Sequence, residues 1–185
     1  MRNSKFTSTA PLILALTCAA GAAASCARVE ADVSEAKVTK EAVNFQGIPG
    51  GSQLGEVSTT QSFTLTSDDL SWAKDMNAEV YAYAVEFKAV GAVQDLSFIH
   101  YARITMSDGA ADSTTPAVEI INYQRPDNAQ PSPELDVKTS YPIDVTKLWA
   151  SKTIVVTMEL AGVFPEQTWS ADVTLNLGGK ISYKL

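Results

Sequence analysis

The chain has 185 residues, 45% of them hydrophobic and 19% charged, with 14 Lys and Arg against 21 Asp and Glu, one His and two Cys. That length is enough for one ordinary globular core, and a net charge of −7 argues against a nucleic-acid or anionic-membrane surface, which needs a clustered positive field. So few Cys and His exclude a disulfide-stapled scaffold and leave little material for a His-rich metal site or His-based catalysis.

At the N-terminus, Arg2 and Lys5 precede an apolar stretch from Pro11 to Ala20, which is followed by Gly21, three alanines, Ser25 and Cys26. This is the three-part layout of an export signal, with an apolar run too short to span a bilayer. The closing Ala23-Ala24-Ser25-Cys26 resembles the lipobox of bacterial lipoprotein precursors, where small residues precede a cysteine that is lipidated and becomes the new N-terminus. The usual lipobox has Leu or another branched aliphatic three residues before the cysteine; this chain has Ala23.

The resemblance implies that residues 1–25 are a signal peptide. It further implies that Cys26 carries a thioether-linked diacylglycerol and an N-acyl chain such as palmitate, more than one buried chain and so a stable anchor in a lipid bilayer. A residue other than Asp after the cysteine, here Ala27, implies the outer membrane in a Gram-negative host. The rival reading is ordinary signal-peptidase cleavage after Ala24, leaving a secreted protein with a thiol at Cys26. Cys18 reads as one small residue of the apolar run. Loss of residues 1–25 removes Arg2 and Lys5, leaving 12 basic against 21 acidic residues and a net charge of −9. A lipidated Cys26 leaves no free thiol, so Cys nucleophiles, Cys-rich zinc sites and redox dithiols are excluded together.

Residues 26–55 read as a lipid-anchored tether. Arg28 to Lys40 is charged and only weakly amphipathic, and Gly47-Ile-Pro-Gly-Gly-Ser-Gln-Leu-Gly55 breaks any regular element. The competing reading is a short first strand or helix and a loop packed on the domain through Val43, Phe45 and Ile48, an apolar triplet unusual in a solvated linker.

From about residue 56 the period becomes two. Tyr81, Tyr83, Val85 and Phe87 make one apolar stripe; Phe98, Ala102, Ile104 and Met106 make another; Ile154, Val156, Met158 and Leu160 a third; and Trp169, Ala171, Val173, Leu175 and Leu177 a fourth. Phe63 with Leu65, Val118 to Tyr123, and Ile181, Tyr183 and Leu185 are shorter candidates. Turn signals fall at Gly91, Ser107-Asp108-Gly109, the Pro-rich stretch 125–133, Gly162 with Pro165, and Gly178-Gly179, the last read as a two-residue hairpin. The expectation is an all-β antiparallel sandwich of at least seven strands over residues 56–185, with an eight-stranded barrel as second choice. Ser67 to Lys74 and Asp144 to Ser151 each open on a capping oxygen followed by Leu and Trp, and read as single helical turns.

Trp72 and Trp149 in those turns are candidate aromatic platforms for sugar rings; the alternative is that they close the ends of the core. His100 shares parity with Phe98, Ala102 and Ile104, so it is expected to point toward the core or its edge as a structural histidine. Asp108, Asp112 and Asp127 suggest calcium by their oxygens, but no EF-hand spacing accompanies them, and solvated turns explain them better. No Gly-x-Ser-x-Gly, phosphate-loop or His-Glu-x-x-His motif is present. No catalytic residue, metal ligand or cofactor is therefore assigned.

The reading that follows is a non-enzymatic, membrane-anchored envelope lipoprotein whose sandwich binds or scaffolds an envelope protein or glycan. A carbohydrate-binding module using Trp72, Trp149 and the tyrosines is the main alternative. A small hydrolase with paired carboxylates on different strands is a third.

Overall fold

Among the described residues, period-two patterning yields eight strands, joined by connections that include two single-turn helices. A computed structural model describes residues 28–66, 77–91, 93–149, 151 and 153–184. Cys18, Cys26 and Trp72 lie outside the described residues, as does the turn expected over Ser67 to Lys74. The elements in chain order are β1 (Arg28–Phe45), α1 (Gly51–Leu54), β2 (Val57–Thr66), β3 (Asn77–Val90), β4 (Ile99–Asp108), β5 (Val118–Gln124), β6 (Glu134–Asp144), α2 (Thr146–Trp149), β7 (Thr153–Gly162) and β8 (Trp169–Lys184).

One four-stranded sheet, sheet A, has the order β1-β8-β3-β6, and the other, sheet B, the order β2-β7-β4-β5. Every neighbouring pair is antiparallel. The pairs 1·8, 2·7, 3·6 and 4·5 are those of one long hairpin rolled so that alternate pairs fall in opposite sheets, the strand order of a jelly roll. The expected all-β sandwich is thus what the chain forms, as two sheets rather than a closed barrel.

The core lies between the inner faces. Leu65 of β2, Phe87 of β3, Ile104 and Met106 of β4, Met158 of β7 and Val173 of β8 are all buried, and no polar or charged residue is buried with them among the described residues. Each such aliphatic or aromatic side chain contributes roughly 1.5–3 kcal/mol of transfer free energy. In β8 the expected stripe from Trp169 to Leu177 faces inward at every second residue, and so does the stripe of β7. Asp144 caps α2 as its position suggests, its Oδ1 accepting from the Thr146 amide at 2.9 Å.

In four places the chain departs from its simple pattern. Residues 28–45, expected within a tether over 26–55, are β1, paired with β8 from Arg28↔Lys184 to Phe45↔Trp169. The apolar triplet explains it: Val43 and Phe45 are buried and Ile48 packs on the core, a gain no solvated linker obtains. Tyr81 and Tyr83 do not share a face with Val85 and Phe87. An irregularity between Ala82 and Ala84 shifts the parity, so Val80, Ala82, Val85 and Phe87 are buried while Tyr83 is exposed.

Gly178-Gly179 is no hairpin but the middle of β8. A Cβ on Gly179 would collide with the Glu79 carbonyl of β3, so the glycine serves close strand approach. Finally, β4 carries a bulge between Ile99 and Tyr101. This turns His100 out of the core, leaving its side chain 43% exposed.

Candidate functional site

Two concave polar surfaces stand out, and both are built by bulges. The first is on the outer face of sheet A, where Tyr81↔Asp144 and Ala82↔Ile143 give way directly to Ala84↔Lys138. One residue of β3, Tyr83, therefore faces four of β6, residues 139–142. The Thr139 hydroxyl donates to the Tyr83 carbonyl at 3.0 Å, satisfying the backbone that the bulge frees, and the loop throws Tyr141 into solvent at 68% exposure. Bulges of this kind re-aim side chains. Here Tyr83 and Tyr141 become two of the three exposed large hydrophobic side chains among the described residues, Leu54 being the third.

Beside Tyr83 is a hollow of about 260 Å³ whose polar walls are Lys37, Glu86, Asp136, Lys138 and Asn176, drawn from all four strands. Lys37 Nζ stands 3.3 Å from Glu86 Oε1, Asn176 Nδ2 donates to the same oxygen, and Lys138 pairs with Asp136 at 3.4 Å. Partial burial acts to raise the Glu86 carboxyl. The hydrogen bonds from Asn176 and Lys37 and the Lys37 and Lys138 charges together outweigh it, leaving Glu86 below its ordinary range. The hollow is thus balanced in charge, with donors and acceptors in alternation. On the same strand the Tyr81 hydroxyl donates to Glu79 at 3.1 Å, which raises its pKa.

The second surface is a groove of about 660 Å³ at one end of sheet B, lined by Glu56, His100, Tyr101, Arg125 and Asp127 among others. The β4 bulge brings His100 Nδ1 to 3.8 Å from Glu56 Oε2. The Arg125 guanidinium is occupied in holding its own loop, donating to the carbonyls of Ala129 at 3.1 Å and Gln130 at 2.9 Å. Asp95 fastens the neighbouring loops by accepting from the amides of Ser97 at 2.8 Å and Ser132 at 3.0 Å. Burial opposes its ionisation, but the bonds from Ser97 and Ser132 and the Arg125 charge hold the carboxyl below its usual range.

Of the residues singled out in the sequence, Trp149 is half-buried and packs against the core. The aromatics in the open are tyrosines exposed by bulges, which alternation alone does not reveal. Asp108 accepts from the Ala110 amide at 3.0 Å and from the hydroxyls of Ser113 at 2.7 Å and Ser151 at 2.5 Å. The bond from Ser151 leads in lowering its pKa, followed by those from Ala110 and Ser113; the carboxylate closes a turn. Among the described residues no group of three or more His, Cys, Asp or Glu is placed to hold a metal ion, and no helix is long and apolar enough to cross a membrane.

No protein-family model matches the chain, and no curated protein matches it. Among solved structures, the decameric BFDV capsid protein aligns over 84% of this chain and 99% of its own, with 13% identity and a TM-score of 0.38. At that score the likeness carries no argument about activity.

Proposed function

We propose that this chain is an envelope lipoprotein, held in a bilayer by acyl chains on Cys26, whose jelly roll binds or scaffolds an envelope component without catalysis. The observation that supports the reading is that Arg28, two residues after the lipobox-like cysteine, is already paired with Lys184 of β8. Two extended residues span only about 7 Å, so an anchor there holds the domain against the membrane with no spacer. Arg28 pairs with Lys184 and Asn77 with Ser182, so that end of sheet A faces the lipid. Phe45 and Phe98, both packed on Trp169, mark the opposite end. The groove of Glu56, His100 and Arg125 lies there and opens away from the membrane. The outer membrane of a Gram-negative bacterium is the proposed address.

Metabolic labelling of the full chain with a palmitate analogue tests the anchor. Label and membrane partition are expected to disappear together in Cys26→Ser. Retention of both overturns the proposal, and a soluble, unlabelled wild-type chain favours the secreted alternative.

A second reading, carbohydrate binding, is favoured by one observation: Tyr83 and Tyr141 are exposed around a charge-balanced hollow. Sugar rings present apolar C–H patches to aromatic faces and hydroxyls to mixed donors and acceptors, and a neutral polyol leaves the Lys37–Glu86 and Lys138–Asp136 pairs intact. On this reading Tyr83→Ala abolishes retention on a neutral-glycan array while the melting temperature stays unchanged. Retention surviving in both Tyr83→Ala and Tyr141→Ala removes the site.

A further inference from the structure

The 139–142 loop that exposes Tyr141 also borders a second hollow, on the side of β6 that meets β5. β5 has an irregularity of its own there. Ile104↔Ile121 is followed directly by Thr105↔Glu119, so Ile120 is passed over in the register, and Ile120 and Ile121 are both buried. Bulges of this kind occur where a strand is bent to shape a surface. The hollow that results is about 200 Å³, with Ile120 and Ile121 in its lining and Glu119, Asn122, Lys138, Ser140 and Tyr141 among its walls. Lys138 belongs equally to the walls of the hollow beside Tyr83, so the two adjoin.

The second hollow repeats the chemistry of the first. Each has one exposed tyrosine, Tyr83 in one and Tyr141 in the other. Each has its charges compensated: the Glu119 carboxylate accepts from Arg103 Nε at 2.6 Å and from Asn122 Nδ2 at 3.2 Å, and Lys138 pairs with Asp136 at 3.4 Å. Ser140 and Asn122 add hydroxyl and amide groups that donate and accept. The tyrosines are also held in one arrangement. Thr139 donates its hydroxyl to the Tyr83 carbonyl, and Tyr141 follows Thr139 by two residues, at most about 7 Å of backbone.

We propose that the two hollows are adjoining subsites for one neutral oligosaccharide, whose chain crosses Lys138 and packs one sugar ring on Tyr83 and another on Tyr141. This rests on the carbohydrate reading of the first hollow and adds a length requirement to it: the ligand is a chain, not a single sugar. Size carries the step. At about 260 and 200 Å³ each hollow falls short of the roughly 300 Å³ at which pockets begin to enclose a drug-sized ligand, so neither buries a ligand alone, whereas an extended molecule occupies both. Once one ring is seated, the second contact is intramolecular, and linking two weak contacts in this way raises affinity by roughly a hundredfold or more where the geometry lets both engage.

A neutral-glycan array carrying each glycan at one and at six sugar units, probed with the full chain in detergent, tests the length requirement. Six units are expected to bind at least tenfold tighter than one. Tyr141→Ala, which removes the second aromatic face, and Ser140→Arg, which fills the second hollow, should each weaken six-unit binding at least tenfold and leave the one-unit signal within twofold. Both positions are exposed, and unchanged melting temperatures will show that the fold is intact. Six-unit binding no tighter than one-unit binding, or six-unit binding left unmoved by Tyr141→Ala or by Ser140→Arg, overturns the proposal while the carbohydrate reading of the first hollow stands. Retention of no glycan at either length by the wild type removes both.

Discussion

His100 Nδ1 stands 3.8 Å from Glu56 Oε2, and the two meet because β4 takes an extra residue at a point where β7 has glycine. Val163 donates its amide to the Phe98 carbonyl at 3.1 Å, and a Cβ on Gly162 would collide with that same carbonyl. The bulge therefore depends on a missing side chain one strand away.

Gly162→Ala is accordingly expected to destabilise the domain by about 1–3 kcal/mol, the range for forced backbone shifts in a packed site, lowering Tm by roughly 3–10 °C. Thermal unfolding by circular dichroism checks it. A melting temperature within a degree of wild type would show that the strands part at no cost.

Trp169 stacks on Phe45 with ring centroids 4.1 Å apart, and its buried indole Nε1 has no hydrogen-bond partner among the described residues. Removing an unsatisfied buried donor offsets part of the cost of lost volume. Trp169→Phe is thus expected to cost less than about 1.5 kcal/mol, against about 3–5 kcal/mol for Phe45→Ala. Urea denaturation of both variants gives the comparison, and equal losses would refute it.

Asp95 links the pH response to the loops. Its carboxyl is held low in the fold by Ser97, Ser132 and Arg125, so it stabilises the ionised folded state. That contribution is full above the unfolded carboxylate value of about 3.9 and is lost as pH falls from there through the lower folded value. Asp95→Asn should lower Tm at pH 7 and shallow the fall in Tm below pH 4. Parallel acid slopes for variant and wild type would count against this role.

Arg103 on β4 reaches Glu119 of β5 at 2.6 Å and Glu159 of β7 at 3.4 Å, tying three strands on the outer face of sheet B. All three side chains are about 40–50% exposed, so solvent and salt screen the network. Arg103→Met is expected to cost under about 1 kcal/mol, and the difference should shrink further in 0.5 M salt. A larger, salt-insensitive loss would point to packing of the Arg103 stem instead.

Much of the fold is legible in the residues because one face of each sheet is buried. The stripes from Trp169 to Leu177 and from Ile154 to Leu160 alternate without interruption, and each lies in the core as the alternation demands. Where a bulge intervenes, parity misleads: Tyr81 and Tyr83 share odd numbers with Val85 and Phe87, yet one extra residue puts them on opposite faces. The candidate site is the less legible for that reason, since both hollows are built on such irregularities.

Composition and alternation are local properties, and by themselves they determine an acidic all-β domain with polar outer faces and the capped turn at Asp144. Pairing partners are not local. That residues 28–45 form an edge strand on β8, that Gly179 admits β3 rather than turning a hairpin, and that His100 faces Glu56 follow only once strands distant in sequence lie side by side. Backbone approach and register, unlike hydrophobic period, are set by the neighbouring strand.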